Sequence, residues 1–266
     1  MTETSGIMNG KRGLIMGVAN ERSIAWGIAK TLADAGAELA FTYQGEAFAK
    51  RLQPLAESVG SDIVLQCDVE EDGSLQAVFD RLGNDWGSLD FVVHSLAYSD
   101  KEELSGRYVD TSAENFARTM SISCFSFTSV AQAAYPLMKD KGGSMITLTY
   151  YGAERVLPNY NVMGVAKAAL EASVRYLAAD LGPDGIRVNA VSAGPMRTLA
   201  GSAIGGARKI YNIAEANAPL RQSVTLEQLG GTALYLLSDL GSGVTGETHH
   251  VDSGYNIIGM PYLTGE

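Results

Sequence analysis

Tyr160 and Lys167 are the residues of this 266-residue chain whose types and spacing most favour catalysis. On a helix of about 100° per residue, a separation of seven positions places both side chains on one face, about 10.5 Å apart along the axis. A tyrosine, with an ordinary pKa of about 10, is a useful acid only where its phenolate is stabilised, and a lysine on the same face supplies positive charge and donors. The pair predicts a proton-donating site. The alternative is a buried tyrosine and a solvated lysine.

The segment from Gly17 to Gly27 has the composition of a phosphate-binding turn between a first strand and a first helix. A glycine such as Gly17 lets a pyrophosphate approach the backbone, and the start of the following helix offers free N–H groups and partial positive charge. Ser23 can cap that helix and also donate to phosphate. The segment does not follow the G-x-G-x-x-G pattern, so an ordinary turn is the alternative, but its position after the first strand favours nucleotide binding.

Later strand ends carry residues suited to the rest of a dinucleotide. Gln44 ends the second strand and can bond a ribose hydroxyl, and no arginine or lysine stands immediately beside it, which favours NADH over NADPH. Asp68 can accept a hydrogen bond from the adenine amino group while Val69 packs on the ring. Capping of the following helix is the alternative role for Asp68, and both roles can hold together. Ser95, at the end of the fourth strand, is small enough to let the cofactor pass.

These residues lie at the ends of elements that alternate along the chain. Short apolar runs predict strands, and amphipathic runs with a period of about 3.6 residues predict helices. Strand, helix, strand in repetition requires a parallel sheet with right-handed crossovers. We therefore predict an α/β, doubly wound (Rossmann) seven-stranded parallel sheet with helices on both faces. It forms a single domain over 1–266. The one long irregular stretch, about 195–222, has the length of a lid or binding loop and is the candidate for a mobile substrate flap. The predicted strands span 12–17, 38–43, 62–67, 89–94, 143–149, 186–191 and 247–251, and the helices span 23–35, 46–59, 71–82, 113–139, 159–181 and 225–237.

Composition excludes several classes of protein. Hydrophobic residues make up 46% of the chain, which excludes intrinsic disorder. The formal net charge of −10 argues against binding to nucleic acid or to an anionic membrane, since both need a basic surface.

No apolar run approaches the roughly 20 residues that span a bilayer, and residues 1–10 lack the pattern of a signal peptide, so we expect a cytoplasmic protein without membrane insertion. Cys67 and Cys124 are expected to be reduced core thiols, and no metal site is expected.

The chain resembles the short-chain dehydrogenase/reductase superfamily and, within it, the bacterial NADH-dependent enoyl-acyl-carrier-protein reductases of type II fatty acid synthesis. The resemblance covers nearly the whole sequence. Tyr150, Tyr160 and Lys167 carry the likeness to the subfamily, because carbonyl-reducing members space tyrosine and lysine by four and position 164 here is Gly. The likeness to the superfamily rests on the turn from Gly17 to Gly27 and on the segments 187–195, 245–247 and 251–254.

This resemblance implies reduction of the trans-2 double bond of an enoyl thioester on acyl carrier protein, the last step of the elongation cycle. Hydride from NADH goes to C3, and Tyr160 stabilises the charge that develops on the thioester oxygen. Lys167 is implied to bond the nicotinamide ribose, Tyr150 to orient the acyl chain, and Ser99 and Met163 to contact the substrate. The implied cofactor contacts are Gly17, Ser23, Ile24, Gln44, Asp68, Val69, Ser95, Leu96, Lys167, Met196 and Thr198.

An acidic carrier protein and a chain with a net charge of −10 repel each other overall, so docking needs a local basic patch. Arg208 and Lys209, which follow the glycines of the flap, are the candidates, and a solvated helix face is the alternative. The resemblance also implies a homotetramer, with interfaces on the predicted helices over 113–139 and 159–181.

Two other functions stay open on the sequence. A carbonyl-reducing short-chain dehydrogenase would have a serine, a tyrosine and a lysine, with four-residue spacing between the last two. A regulator that senses NADH without chemistry is expected to lack Tyr160 or Lys167, and both residues are present.

Overall fold

A computed structural model describes residues 6–198 and 207–260 of the protein. Within this part, one sheet contains the strands β1 (Arg12–Met16), β2 (Glu38–Tyr43), β3 (Ile63–Gln66), β4 (Phe91–His94), β5 (Gly143–Thr149), β6 (Ile186–Ala193) and β7 (Thr248–Val251). All neighbouring strands are parallel, and their order is β3-β2-β1-β4-β5-β6-β7. The predicted seven-stranded parallel sheet is confirmed, and β6 runs slightly beyond its predicted end.

Helices connect the strands and cover both faces of the sheet. In the described part of the chain they are α1 (Ile24–Asp34), α2 (Glu46–Ser58), α3 (Ser74–Trp86), α4 (Lys101–Leu104), α5 (Ala113–Met120), α6 (Ser126–Met138), α7 (Asn161–Leu181), α8 (Ala207–Asn217) and α9 (Leu226–Leu237). A π-helical turn over Ser121–Phe125 joins α5 directly to α6. The long helix predicted over 113–139 is therefore present as one continuous helical run.

The strands are buried on both faces, which explains their continuous apolar sequences. In β1, Leu14 and Met16 join the core on one face of the sheet, whereas Ile15 joins the core on the other. Helices α1, α2 and α9 cover the face of Ile15, and α3, α6 and α7 cover the opposite face. Among the described residues, no helix is both long enough and apolar enough to cross a membrane.

Two glycines let α1 and α9 pack closely against each other. A Cβ atom on Gly27 would lie 2.6 Å from the Cβ atom of Leu226, and one on Gly230 would overlap the Oγ1 atom of Thr31. Thr31 Oγ1 in turn donates to the Gly27 carbonyl oxygen at 3.1 Å. This contact fixes the first turns of α1 and thereby the turn that precedes it.

The start of α3 differs from its prediction. The helix begins at Ser74 and not at residue 71, because Gly73 has a φ of +79° and interrupts the helical backbone. The short helix α4 is absent from the prediction altogether. It begins after Asp100, whose side chain accepts a hydrogen bond from the Glu102 backbone N–H at 3.1 Å.

The stretch predicted to be irregular, about 195–222, contains helix α8 over Ala207–Asn217. Ile210, Ile213 and Ala214 have the spacing of one helical face, and the glycines that precede them in sequence obscured this pattern. Gly201, Gly205 and Gly206, together with the rest of 199–206, lie outside the described residues. The prediction of an irregular stretch is therefore wrong for α8.

Candidate active site

A cavity of about 680 Å³ opens at the carboxyl ends of the strands. It lies where the strand order changes direction between β1 and β4, which is the usual ligand position in doubly wound sheets. Every residue that the sequence predicts to bind cofactor or substrate lines this one cavity. They are Gly17, Ser23, Ile24, Gln44, Asp68, Val69, Ser95, Leu96, Ser99, Tyr150, Tyr160, Met163, Lys167, Met196 and Thr198.

The turn after β1 is built for close approach of backbone and ligand. Gly17 has a φ of +95°, and a Cβ atom there would overlap the carbonyl oxygen of Ser95. Ser23 Oγ accepts hydrogen bonds from the backbone N–H groups of Ala19 at 3.0 Å and Asn20 at 3.1 Å. Ser23 is the residue before α1, but its side chain does not cap the helix, so that prediction is wrong. Because the oxygen only accepts, the hydroxyl hydrogen remains free for a phosphate.

Gln44 and Asp68 meet at the other end of the cavity. The Gln44 side-chain amide donates to Asp68 Oδ2 at 2.9 Å, and the Glu70 backbone N–H donates to Asp68 Oδ1 at the same distance. Asp68 therefore closes the turn that precedes α3, while Gly73 occupies the capping position. The predicted helix cap is wrong in position, and Asp68 lines the cavity, where its role as an adenine contact stays a prediction.

Tyr160 does not lie on regular helix, as the sequence predicts, but just before α7. The asparagines on either side have positive φ angles, 61° for Asn159 and 36° for Asn161. Asparagine tolerates this region better than other residues that carry a side chain. The polar Asn-Tyr-Asn run thus serves to turn the backbone and to aim Tyr160 into the cavity.

Gly152 and Gly164 provide the space for the Tyr160 ring. A Cβ atom on Gly152 would overlap Cδ1 of that ring, and one on Gly164 would lie 2.8 Å from the Gly152 carbonyl oxygen. A lysine at position 164 would therefore displace the loop that holds the tyrosine. This geometry disfavours a lysine four residues after Tyr160, which is the spacing that a carbonyl-reducing member would have.

The two active-site tyrosines pack edge to face. The ring centroids of Tyr150 and Tyr160 lie 5.2 Å apart, with an angle of 82° between the ring planes. Burial raises the pKa of both hydroxyls, and each is neutral at physiological pH. Burial therefore does not favour a phenolate at Tyr160, and the residue offers a neutral O–H donor. Within the described residues, no hydrogen bond engages the hydroxyl of either tyrosine.

Lys167 is buried, which excludes the alternative of a solvated lysine. Only 6% of the residue is exposed, and Nζ donates to the carbonyl oxygen of Leu148 at 2.8 Å. Burial lowers the pKa of Lys167 to about 8, while Cys124 and Glu171 act in the opposite direction. An ammonium group has three donors, so two of them are available to a ligand in the cavity.

The cysteines are free and buried, as predicted. Cys67 lines the cavity beside Asp68, and burial raises the pKa of its thiol to about 11. A thiol with this pKa is a poor nucleophile at neutral pH.

Comparison with known proteins identifies the family. A family described as enoyl-(acyl carrier protein) reductase matches residues 17–256 of the chain. The chain belongs to the enoyl-(acyl carrier protein) reductase family. An enoyl-(acyl-carrier-protein) reductase (NADH) 2 of Rhizobium meliloti (strain 1021) is 66% identical over 259 residues, which cover 97% of this chain and 96% of the relative.

Two solved structures of the reductase family share the fold. The enzyme of Anaplasma phagocytophilum, in complex with NAD, has a TM-score of 0.94 and 58% identity, and the match covers 97% of this chain and 98% of that one. The enzyme of Bacillus cereus, with NADP⁺ and indole naphthyridinone, has a TM-score of 0.93 and 50% identity over 96% of this chain and 99% of that one. Each match extends over nearly all of both chains.

The reductase cavity also includes residues that the sequence analysis does not single out. Tyr211, on α8, lines the cavity, and its buried hydroxyl has no hydrogen-bond partner within the described part of the chain. Arg118 stacks 4.4 Å from the ring centroid of Tyr98 and forms two hydrogen bonds, of 2.8 and 2.7 Å, with the carboxylate of Glu70. The position of Tyr211 within the predicted flap, about 195–222, is a signal for it. The sequence gives no sign that Arg118 lines the cavity, because Glu70 and Tyr98, which it contacts, are distant from it along the chain.

Arg208 and Lys209 lie on α8 but outside the cavity of this reductase. Both are exposed, and neither forms an ion pair with another described residue. Ile210, the next residue, lines the cavity. The two cations are therefore exposed on the helix that forms part of the cavity wall.

Proposed function

We propose that this protein reduces the trans-2 double bond of enoyl-acyl-carrier-protein thioesters with NADH, the last step of the type II fatty acid elongation cycle. The observation that carries the proposal is the convergence of the Tyr160 hydroxyl and the Lys167 ammonium group in one cavity with the Gly17 turn. Membership of the enoyl-(acyl carrier protein) reductase family supports it.

The residues of the cavity fit a dinucleotide. The Gly17 turn has no side chain where a pyrophosphate would lie, and the hydroxyl hydrogen of Ser23 is free to donate to it. At the adenosine end, the Asp68 carboxylate bonded to Gln44 disfavours a ribose that carries an additional phosphate. This charge supports NADH over NADPH, as do the names of the R. meliloti relatives.

When bound, NADH supplies the hydride that reduces C3 of the enoyl thioester. Tyr160 donates a hydrogen bond to the thioester oxygen, where negative charge develops as C3 is reduced and an enolate forms. A neutral, buried hydroxyl suits this role, because its proton is present at neutral pH and little water competes for the oxygen. Protonation of C2 then completes the saturated thioester.

The other residues of the cavity hold the two reactants in place. Lys167 binds the ribose next to the nicotinamide through the donors that Leu148 leaves free. Tyr150 packs on Tyr160 and orients the acyl chain, and Met163 and Ser99 contact the substrate. These roles follow the family resemblance and agree with the positions of the side chains around the cavity.

The carrier protein docks, in this proposal, on Arg208 and Lys209. The R208E/K209E variant tests the site, because charge reversal should raise KM for crotonyl-acyl carrier protein. KM for crotonyl-coenzyme A, which needs no carrier contact, should stay unchanged. An unchanged KM for the carrier-linked substrate would exclude these residues as the docking site.

The assembly is proposed to be a cytoplasmic homotetramer of single-domain subunits. Apolar side chains on the helical run 113–138 and on α7 support the predicted interfaces, since Phe125 is 61% exposed and Tyr176 is 76% exposed. Light scattering coupled to size-exclusion chromatography measures the mass directly. A monomeric mass would reject the tetramer.

The central experiment follows nicotinamide absorbance with purified protein, NADH and a crotonyl thioester. Loss of NADH absorbance with formation of the saturated thioester is the expected result. The same assay with a panel of ketones provides the comparison. No turnover of the thioester, together with reduction of a ketone, would replace the proposed function with carbonyl reduction.

A further inference from the structure

Successive turns of α7 bind consecutive residues at the end of β5. Lys167 Nζ donates to the Leu148 carbonyl oxygen at 2.8 Å. One turn later, Glu171 Oε1 accepts a hydrogen bond of 2.7 Å from Thr149 Oγ1. The next residue along the chain is Tyr150, which packs against Tyr160 at the start of the same helix. These contacts connect α7 to the end of β5 and return, through Tyr150, to the start of α7. They include the three proposed catalytic residues, Tyr150, Tyr160 and Lys167.

Glu171 is an unusual residue for this buried face of α7. It is 9% exposed, among apolar residues such as Leu170 and Val174, which are fully buried. A buried carboxylate lowers stability unless it is paired, and an apolar residue of similar size is often as good for packing. The ionisable groups that act on Glu171 or on which it acts are Glu154, Tyr160, Lys167, Arg175 and His250.

We infer that Glu171 is a positioning residue of the reductase, which acts on the cofactor through Lys167 and on the substrate through Thr149 and Tyr150. The inference rests on the proposed function. It goes beyond that function because it assigns a role to a residue outside the cavity wall.

The first action is electrostatic. Glu171 lies one turn from Lys167 on the same helix, and its negative charge opposes the loss of the ammonium proton that burial promotes. Burial raises the pKa of Glu171 above its ordinary value, and the hydrogen bond from Thr149 acts against that rise by favouring the ionised carboxylate. When ionised, Glu171 adds to the effect of Cys124 in favouring the charged form of Lys167, and that charge strengthens the bonds from Lys167 to a ribose.

The second action is geometric. Thr149 is buried at the end of β5, and Glu171 holds its side chain from the adjacent helix. Tyr150 follows directly, so the direction in which the chain leaves β5 determines where the Tyr150 ring meets Tyr160. A shift of about 1 Å in such a group is enough to reduce turnover about 100-fold.

The charge is tested with Glu171→Gln, which keeps the shape and an oxygen acceptor for Thr149 but removes the negative charge. NADH affinity by fluorescence, and kcat/KM for crotonyl thioester, are measured against pH. We expect the alkaline decline of both quantities to move about one pH unit lower in Glu171→Gln. Glu171→Asp retains the charge and should restore the wild-type position of the decline. Glu57→Gln, on the exposed surface of α2, is the matched control and should not change the profile.

The hydrogen bond between Thr149 and Glu171 is tested with Thr149→Val and Thr149→Ser. Valine has a similar shape but no hydroxyl, whereas serine keeps the donor. We expect Thr149→Val to lower kcat/KM for the thioester by about tenfold or more, and Thr149→Ser to remain within about threefold of wild type. Equal losses in both variants would show that packing, and not the hydrogen bond, accounts for the effect.

A purely structural Glu171 gives a different result. In that case Glu171→Gln would lower the unfolding temperature, but NADH affinity and kcat/KM of the folded protein would depend on pH as they do in wild type. This outcome would overturn the inference. The fluorescence measurement of NADH affinity does not depend on turnover. A shifted binding profile in a protein that fails to reduce any enoyl thioester would support the role of Glu171 while rejecting the proposed function.

Discussion

Gly152 lies directly against the ring of Tyr160, so closely that a single added methyl group on the glycine would overlap the Cδ1 atom of the ring. The Gly152 carbonyl oxygen in turn lies where a side chain at position 164 would have to fit. The position of the proposed proton donor is therefore determined by two residues that have no functional group of their own.

Gly152→Ala should impair catalysis without preventing folding. The new methyl group pushes the Tyr160 ring out of its position, and a misplacement of about 1 Å lowers turnover about 100-fold. Steady-state kcat with crotonyl thioester and NADH measures the effect. Gly231→Ala is the matched control, because that position has open space around it and no positive φ. Wild-type turnover in Gly152→Ala would contradict the packing described above.

Tyr160→Phe should abolish most turnover and spare NADH binding. The substitution removes the neutral hydroxyl that we propose as donor to the thioester oxygen, and loss of one such donor lowers kcat by about 100- to 1000-fold. Stopped-flow reduction and NADH fluorescence titration separate the two quantities. Tyr135→Phe, whose hydroxyl donates to Asp184 on the surface, is the control. Full turnover in Tyr160→Phe would assign the donor role to another group.

From the lowered pKa of Lys167 we expect opposite pH trends for the free energy of unfolding and for NADH affinity. Burial lowers its pKa to about 8 in the folded protein, from the ordinary value of 10.5. Below about pH 8 both states hold the proton, and the buried charge destabilises the fold. From about pH 8 to 10.5 the unfolded chain binds more protons, so the contribution of Lys167 to stability rises with pH. NADH affinity falls over the same range, because the ammonium group loses its charge.

Urea unfolding of wild type and of Lys167→Met at several pH values isolates this contribution. The variant lacks the buried charge and should be the more stable protein at about pH 7. The difference in free energy of unfolding should shrink as the pH rises above about 8. A difference that stays constant to about pH 10 would mean that Lys167 does not titrate in this window.

The sequence was sufficient to predict the sheet and the residues around the cavity, for a physical reason. Buried parallel strands require continuous apolar runs, and the residues that end those runs lie on one edge of the sheet. Gly17, Gln44, Asp68 and Ser95 each follow or end such a strand, so their convergence was predictable from their order in the chain.

The contacts within the site were not predictable in the same way. Hydrophobic spacing predicts regular helix at Tyr160, because it does not reveal single residues with positive φ, such as Asn159 and Asn161. The bond between Thr149 and Glu171 joins residues of a strand and a helix that are distant in sequence. Whether the surroundings raise or lower the pKa of a buried hydroxyl depends on its neighbours in space, so the raised pKa of Tyr160 does not follow from the spacing of Tyr160 and Lys167.

Asp68→Asn should weaken the preference for NADH. The carboxylate accepts from the Gln44 amide and adds negative charge at the end of the cavity that we propose for the adenosine, so it should repel the extra phosphate of NADPH. Loss of one charge should raise the ratio of kcat/KM for NADPH to that for NADH about tenfold. Asp72→Asn, an exposed acid on the same loop, is the control for a general change in charge. An unchanged ratio in Asp68→Asn would require another source of cofactor preference.

Tyr211→Phe should stabilise the ligand-free protein or leave its stability unchanged. The Tyr211 hydroxyl is buried with no hydrogen-bond partner among the described residues. Its removal eliminates the desolvation penalty of an unsatisfied buried hydroxyl, which is about 1–3 kcal/mol of folding free energy. Tyr135→Phe provides the contrast, because it removes a hydroxyl that does donate, to Asp184 at 3.1 Å, and should lower stability slightly. Thermal and urea unfolding without ligand measure both variants. A clear loss of stability in Tyr211→Phe would mean that this hydroxyl has a partner in solution. That partner would then be a water molecule or a group outside the described residues.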